Sequence, residues 1–107
     1  MTKLVTAPFD AAKYIRTPEA AIELLSDALE SGDPGYVAAA LGAIARSEGM
    51  TKIAAQTGVN RQALYTALSA SGNPTLETLL KVMAALGMRL KCVPVEEDQA
   101  EAIGRAA

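Results

Sequence analysis

Apolar residues recur at helical spacing in several separate blocks of the chain, and at strand spacing in one short block near its end. In "RTPEAAIELLSDALESGDPGY", Ala21, Ile22, Leu25, Ala28 and Leu29 fall on one face, the pattern of an amphipathic helix of about four turns. Thr17 is placed to cap it, Pro18 fits its first position, and Gly32 is expected to end it in the left-handed conformation. Asp33 and Pro34 repeat the cap-then-proline signal for a second helix with Val37, Leu41, Ile44 and Ala45 as its stripe, closed by Gly49. A shorter helix is expected before both, with Asp10 as cap and "AAKYI" as its body.

The middle of the chain turns a corner. Thr51 is expected to cap a helix reaching about Thr57; Gly58 then turns the chain, and Asn60 caps a helix from Arg61 to about Ser69. After "ASGNP", Thr75 caps a last helix in which Leu76, Leu79, Leu80, Met83 and Leu86 recur until Gly87. In "MRLKCV", Met88, Leu90 and Cys92 alternate with Arg89 and Lys91, so a half-buried strand is expected, with Cys92 as a small buried hydrophobe. Met50, Met83 and Met88 are expected to fill gaps in the core. The expectation is an all-α domain over residues 1–95 with a short C-terminal β-strand and a flexible tail over 96–107.

Two short helices joined by a glycine turn, the second beginning with polar residues, make the sequence pattern of a helix-turn-helix. Small Ala54, four residues before Gly58, leaves room for the second helix to cross, and Ile53, Val59, Leu64 and Leu68 are expected inward. The opposite face then presents Arg61, Gln62, Tyr65 and Thr66, with Asn60 at its mouth. These side chains suit a major groove: Gln pairs with adenine, Arg with guanine or phosphate, and Thr or Tyr meets a thymine methyl. The bland alternative is an ordinary turn between helices with Arg61 and Gln62 merely solvated.

Charge bears on that choice through its distribution. The formal net charge is −2, yet residues 49–76 carry Lys52 and Arg61 and no acid, the longest acid-free window in the sequence. A surface without carboxylates is the minimum requirement for approaching phosphates.

Composition excludes several chemistries. The chain of 107 residues is 50% hydrophobic and 21% charged, a helix-rich globular composition long enough for one core. It has no histidine and one cysteine, which excludes a His- or Cys-built metal site, an internal disulfide and the usual nucleophilic triads. Neither an enzyme nor a cofactor is therefore expected. No apolar run approaches the roughly 20 residues that span a bilayer, so a cytoplasmic location away from membranes is expected.

The segment from about Leu41 to Leu86, with "IAAQTGVNRQALYTALS" and "GNPTLETLLKVMAALG", resembles the helix-turn-helix of phage-repressor-type regulators. The blocks "FDAAKYIRTPEAAIELLSDALESGDP", "ALGAIARSEGMTKIAAQTGV" and "ALGMRLKCVP" resemble the addiction-module antidote proteins, antitoxins of the Hig type, over roughly residues 7–95. This resemblance implies a DNA-binding core at about residues 36–87, a small basic RelE-like ribonuclease toxin as partner, and binding to double-stranded operator DNA as a homodimeric autorepressor. It implies DNA-reading roles for Asn60, Arg61, Gln62, Tyr65 and Thr66. Many related repressors begin the first corner helix with a glutamine; Thr51 and Lys52 stand there in this chain, with Lys52 suited to phosphate.

The resemblance gives no residue motif for toxin binding. The acidic surplus of the N-terminal half, with Glu19, Glu23, Asp27 and Glu30 on one helix, would suit a basic partner, and Phe9 and Tyr14 would add apolar contact if the core does not consume them. The alternative is a solubilising face. A stand-alone regulator without a toxin and a purely protein-binding helical adaptor also remain open on the residues alone.

Overall fold

The computed structural model describes residues 17–96; the expected helix capped by Asp10, and Phe9 and Tyr14, lie outside them. Five helices follow one another: α1 (Pro18–Ser31), α2 (Pro34–Glu48), α3 (Met50–Thr57), α4 (Arg61–Ala67) and α5 (Leu76–Ala85). The all-helical expectation holds among the described residues. The local signals also act largely as expected: Ala20 N donates to Thr17 Oγ1 at 3.1 Å, Gly35 N to Asp33 Oδ1 at 3.0 Å, and Thr78 N to Thr75 Oγ1 at 3.1 Å. Each bond satisfies an amide that the first turn of a helix leaves unpaired. Gly32, Gly49, Gly58 and Gly87, at the expected ends, all have positive φ.

Helix α2 is the centre of the molecule. It packs against α1, α3 and α4, and from Ala38 to Ala45 only Ala39 escapes full burial. The expected stripe of Val37, Leu41, Ile44 and Ala45 is therefore only part of its buried surface, because the small residues around it let neighbours approach on other sides as well. Gly42 is the extreme case: a Cβ built there would lie 2.0 Å from the Leu68 carbonyl oxygen, so the end of α4 rests directly on the α2 backbone. Leu41, Ile53, Leu64 and Val82 are the largest fully buried side chains, and no polar or charged side chain is buried with them among the described residues.

Several expected positions fall elsewhere. Ala21, Leu25 and Ala28 of α1 are buried, but Ile22 and Leu29 are 52% and 40% exposed. At 100° per residue the five positions span about 120° of arc, and α2, the main neighbour of α1, covers only one side of it. On α5 the buried seam runs through Leu79, Val82, Met83 and Leu86, leaving Leu76 and Leu80 exposed; Val82 was not in the expected stripe. Thr51 is not a cap. Gly49 serves as the last cap of α2 and the first position before α3, so α3 starts at buried Met50 and has no side-chain cap.

The expected C-terminal strand does not form: no strand occurs among the described residues, and 88–96 follows Gly87 without regular structure. Alternation fixes which side chains share a face, but a strand also needs a ladder partner for its amides and carbonyls. Among the described residues no second strand offers one. Cys92, expected to be buried, is exposed.

Candidate nucleic-acid interface

The corner is built by short-range bonds. Gly58, with φ 76°, donates its amide to Ala54 O at 2.9 Å and ends α3. Thr57 Oγ1 donates to Ile53 O at 2.8 Å and accepts from Val59 N at 3.2 Å, fixing the first residues beyond the turn. Asn60 Oδ1 accepts from Gln62 N at 2.8 Å and from Ala63 N at 3.2 Å, which starts α4. Ile53, Leu64 and Leu68 then lock the crossing from beneath, with half-buried Val59 against the same core.

The structure brings Arg61, Gln62, Tyr65 and Thr66 together as exposed residues on α4. The Arg61 guanidinium carbon lies 5.4 Å from the Tyr65 ring centroid, and Arg61 Nη2 is 3.5 Å from Tyr65 Oη. This i, i+4 stack holds a long cation along the helix while leaving most of its donors free. Thr66 Oγ1 donates to Gln62 O at 3.2 Å, so its hydroxyl proton is used within the helix. Asn60 spends its side-chain oxygen on the cap, which leaves its amide nitrogen as the group available to a ligand.

Thr51 and Lys52 stand exposed in the first turn of α3. Lys52 Nζ lies 3.5 Å from Glu48 Oε1, so the carboxylate just before the acid-free window partly offsets one of its two cations. The i, i+4 spacing of Glu48 and Lys52 was the sequence signal for this pair; counting charge by window hid it. The contact is open to solvent on both sides, and water and salt screen it.

The acidic candidates lie apart from the corner. Glu19, Glu23, Asp27 and Glu30 are exposed on α1, which carries no Lys or Arg. Asp27 is engaged within the chain, because Tyr36 Oη donates to Asp27 Oδ2 at 2.6 Å. That bond, together with desolvation and the nearby charge, holds the Tyr36 phenol above the usual tyrosine range.

The described residues form a small helical fold whose buried side chains are apolar and whose corner between α3 and α4 projects polar and basic side chains. The chain belongs to the family described as "Probable addiction module antidote protein", whose model matches residues 5–94. It is also similar to an uncharacterized protein of Haemophilus influenzae (strain ATCC 51907 / DSM 11121 / KW20 / Rd), 39% identical over 83 residues that cover 78% of this chain and 86% of that protein. No solved structure matches the chain. Membership agrees with the resemblance read from the sequence, and an antidote implies a toxin partner of some kind. Among the described residues no helix is long and apolar enough to cross a membrane.

Proposed function

We propose that this chain is the antitoxin of a type II toxin–antitoxin pair, that it neutralises a RelE-like ribonuclease, and that it represses its own operon. In this reading α3, Gly58 and α4 form a helix-turn-helix of the phage-repressor type, and two copies present two α4 helices to successive major grooves of the operator. The observation that carries the DNA-binding part is the shared exposed face of Arg61, Gln62, Tyr65 and Thr66 in a window without acids. Arg61 and Gln62 supply donors and acceptors for base edges, with Asn60 at the mouth of the same helix; Lys52, next to Thr51 on the preceding helix, serves a phosphate. Family membership supports the toxin-neutralising part.

The test uses the duplex immediately upstream of this chain's coding sequence and a scrambled duplex of equal composition. Tighter binding to the upstream duplex, weakening steeply with salt as counterions are released, is expected. Equal binding to both duplexes would reject operator recognition. Co-expression with the protein encoded by the adjacent reading frame tests the other half: restored growth is expected, and unrelieved toxicity, or no toxicity to relieve, would reject it.

A further inference from the structure

Sequence periodicity puts Ile22 and Leu29 inside and Leu90 on the buried side of a strand, yet all three are open to solvent, with Val93 72% exposed beside them. They are not scattered. Together with Leu25 and Met83 they line one groove of about 540 Å³ between α1 and the segment that follows Gly87. That volume lies in the range of roughly 300–1,000 Å³ typical of sites that seat compact, largely apolar groups. Four large apolar residues left exposed around one depression mark a surface meant to be covered.

The charge around the groove indicates what covers it. Along α1 the residues that directly follow Ile22 and Leu29 are carboxylates, Glu23 and Glu30: Glu30 lines the groove, and Glu19, Glu23 and Asp27 continue the row beside it with no cation on the helix. Arg89 and Lys91 stand on the opposite wall. A partner must therefore bring an apolar ridge with basic groups on its α1 side. A second copy would bring its own carboxylate row to any contact between two α1 helices, which opposes that pairing.

We infer that the groove between α1 and the 88–96 segment is the docking site for the toxin, a protein that inserts apolar side chains beside Ile22 and Val93 and sets basic groups along the acidic row. The inference rests on the antitoxin reading above. It separates the two activities in space, with neutralisation on α1 and the C-terminal segment and DNA reading on α4.

Cys92, the chain's single cysteine, is exposed between groove-lining Lys91 and Val93 and serves as a reporter. The probe is the purified protein encoded by the adjacent reading frame. Its addition should slow alkylation of Cys92 by iodoacetamide about tenfold or more, and raising the concentration of this chain alone should not. A variant carrying Ile22→Lys and Val93→Lys should bind the probe at least about tenfold more weakly, as loss of an anchor contact predicts, with an unchanged helical circular dichroism spectrum. Leu76→Lys, equally exposed but outside the groove, should bind as wild type does. Wild-type binding with Cys92 unprotected and the double variant unaffected would overturn the groove as docking site and leave the antitoxin reading standing. No binding by the wild type would overturn the antitoxin reading itself, and protection by this chain alone would make a second copy the occupant.

Discussion

Replacing Gly42 by alanine sets two effects of known sign against each other. In an exposed helix interior, Gly→Ala stabilises by about 0.8–1 kcal/mol, because alanine has less backbone freedom to lose. In α2 the added Cβ would lie 2.0 Å from Leu68 O, 3.1 Å from Leu68 C and 3.2 Å from Leu68 Cβ. Real Cβ contacts essentially never fall under 3.0 Å, so the backbone at the end of α4 must retreat by about 1 Å. Leu68 is itself buried at 2% exposure and caps α4, and a backbone oxygen cannot swing away as the tip of a side chain can. A clash this close, against backbone, puts the overpacking cost in the upper part of its range, about 2–3 kcal/mol, which exceeds the propensity gain and leaves a net loss of about 1–2 kcal/mol. For a domain of this size that is a Tm lower by roughly 5–15 °C. Thermal denaturation followed by circular dichroism measures it directly. A Tm equal to or above that of the wild type would show that α2 and α4 do not meet as closely as described, and would refute the reasoning.

Gln62→Ala should reduce discrimination between upstream and scrambled duplexes by about 1–3 kcal/mol, the worth of one bidentate pair, while Lys52→Ala weakens both alike; a titration with each duplex distinguishes the two. Glu48→Gln should free Lys52 and tighten binding to both duplexes at low salt, an effect that fades as salt rises. Asn60→Ala removes the acceptor shared by two amides and should cost about 1 kcal/mol in urea denaturation. Tyr36 has a folded-state pKa raised by its bond to Asp27, so that contribution to stability is complete below the unfolded tyrosine pKa and is lost as pH rises through the folded value. Asp27→Asn should lower the Tyr36 titration midpoint in an NMR series and flatten the alkaline loss of stability.

What proved legible in the sequence was whatever neighbouring residues decide among themselves. Thr17, Asp33, Asn60 and Thr75 cap helices because a side chain reaches amides two or three residues on, and Gly58 ends α3 because its own backbone permits it. Faces were legible only in part, since a helical period says which residues lie together and not how much of that arc a neighbour covers. Ile22 and Leu29 stay open because α1 leans chiefly on one helix, and Leu80 because the seam of α5 is centred on Val82 and Met83. The strand failed for a related reason: "MRLKCV" has the alternation but no described partner for its backbone. At the corner, the sequence placed Arg61, Gln62, Tyr65 and Thr66 on one exposed helix, but not the stack of Arg61 on Tyr65 or the pairing of Lys52 with Glu48. Rotamers settle those contacts, and rotamers follow from packing.

Helix α4 commits little of itself to the fold. Of its seven residues only Leu64 is fully buried, Ala67 is half-buried, and the other five face solvent. The side chains proposed to read DNA can therefore be exchanged with small change in stability, provided that Leu64, the Asn60 cap and the Gly58 turn are kept. Under that reading, a duplicated copy of the gene could acquire a new operator by surface substitutions alone, while its helices kept the same arrangement. Two such copies in one cell would soon stop repressing each other, and each toxin would answer only to the antidote encoded beside it if the α1 groove diverged as well. On that reading, the small number of buried contacts in α4 would leave sister modules free to become insulated from one another without a change of fold.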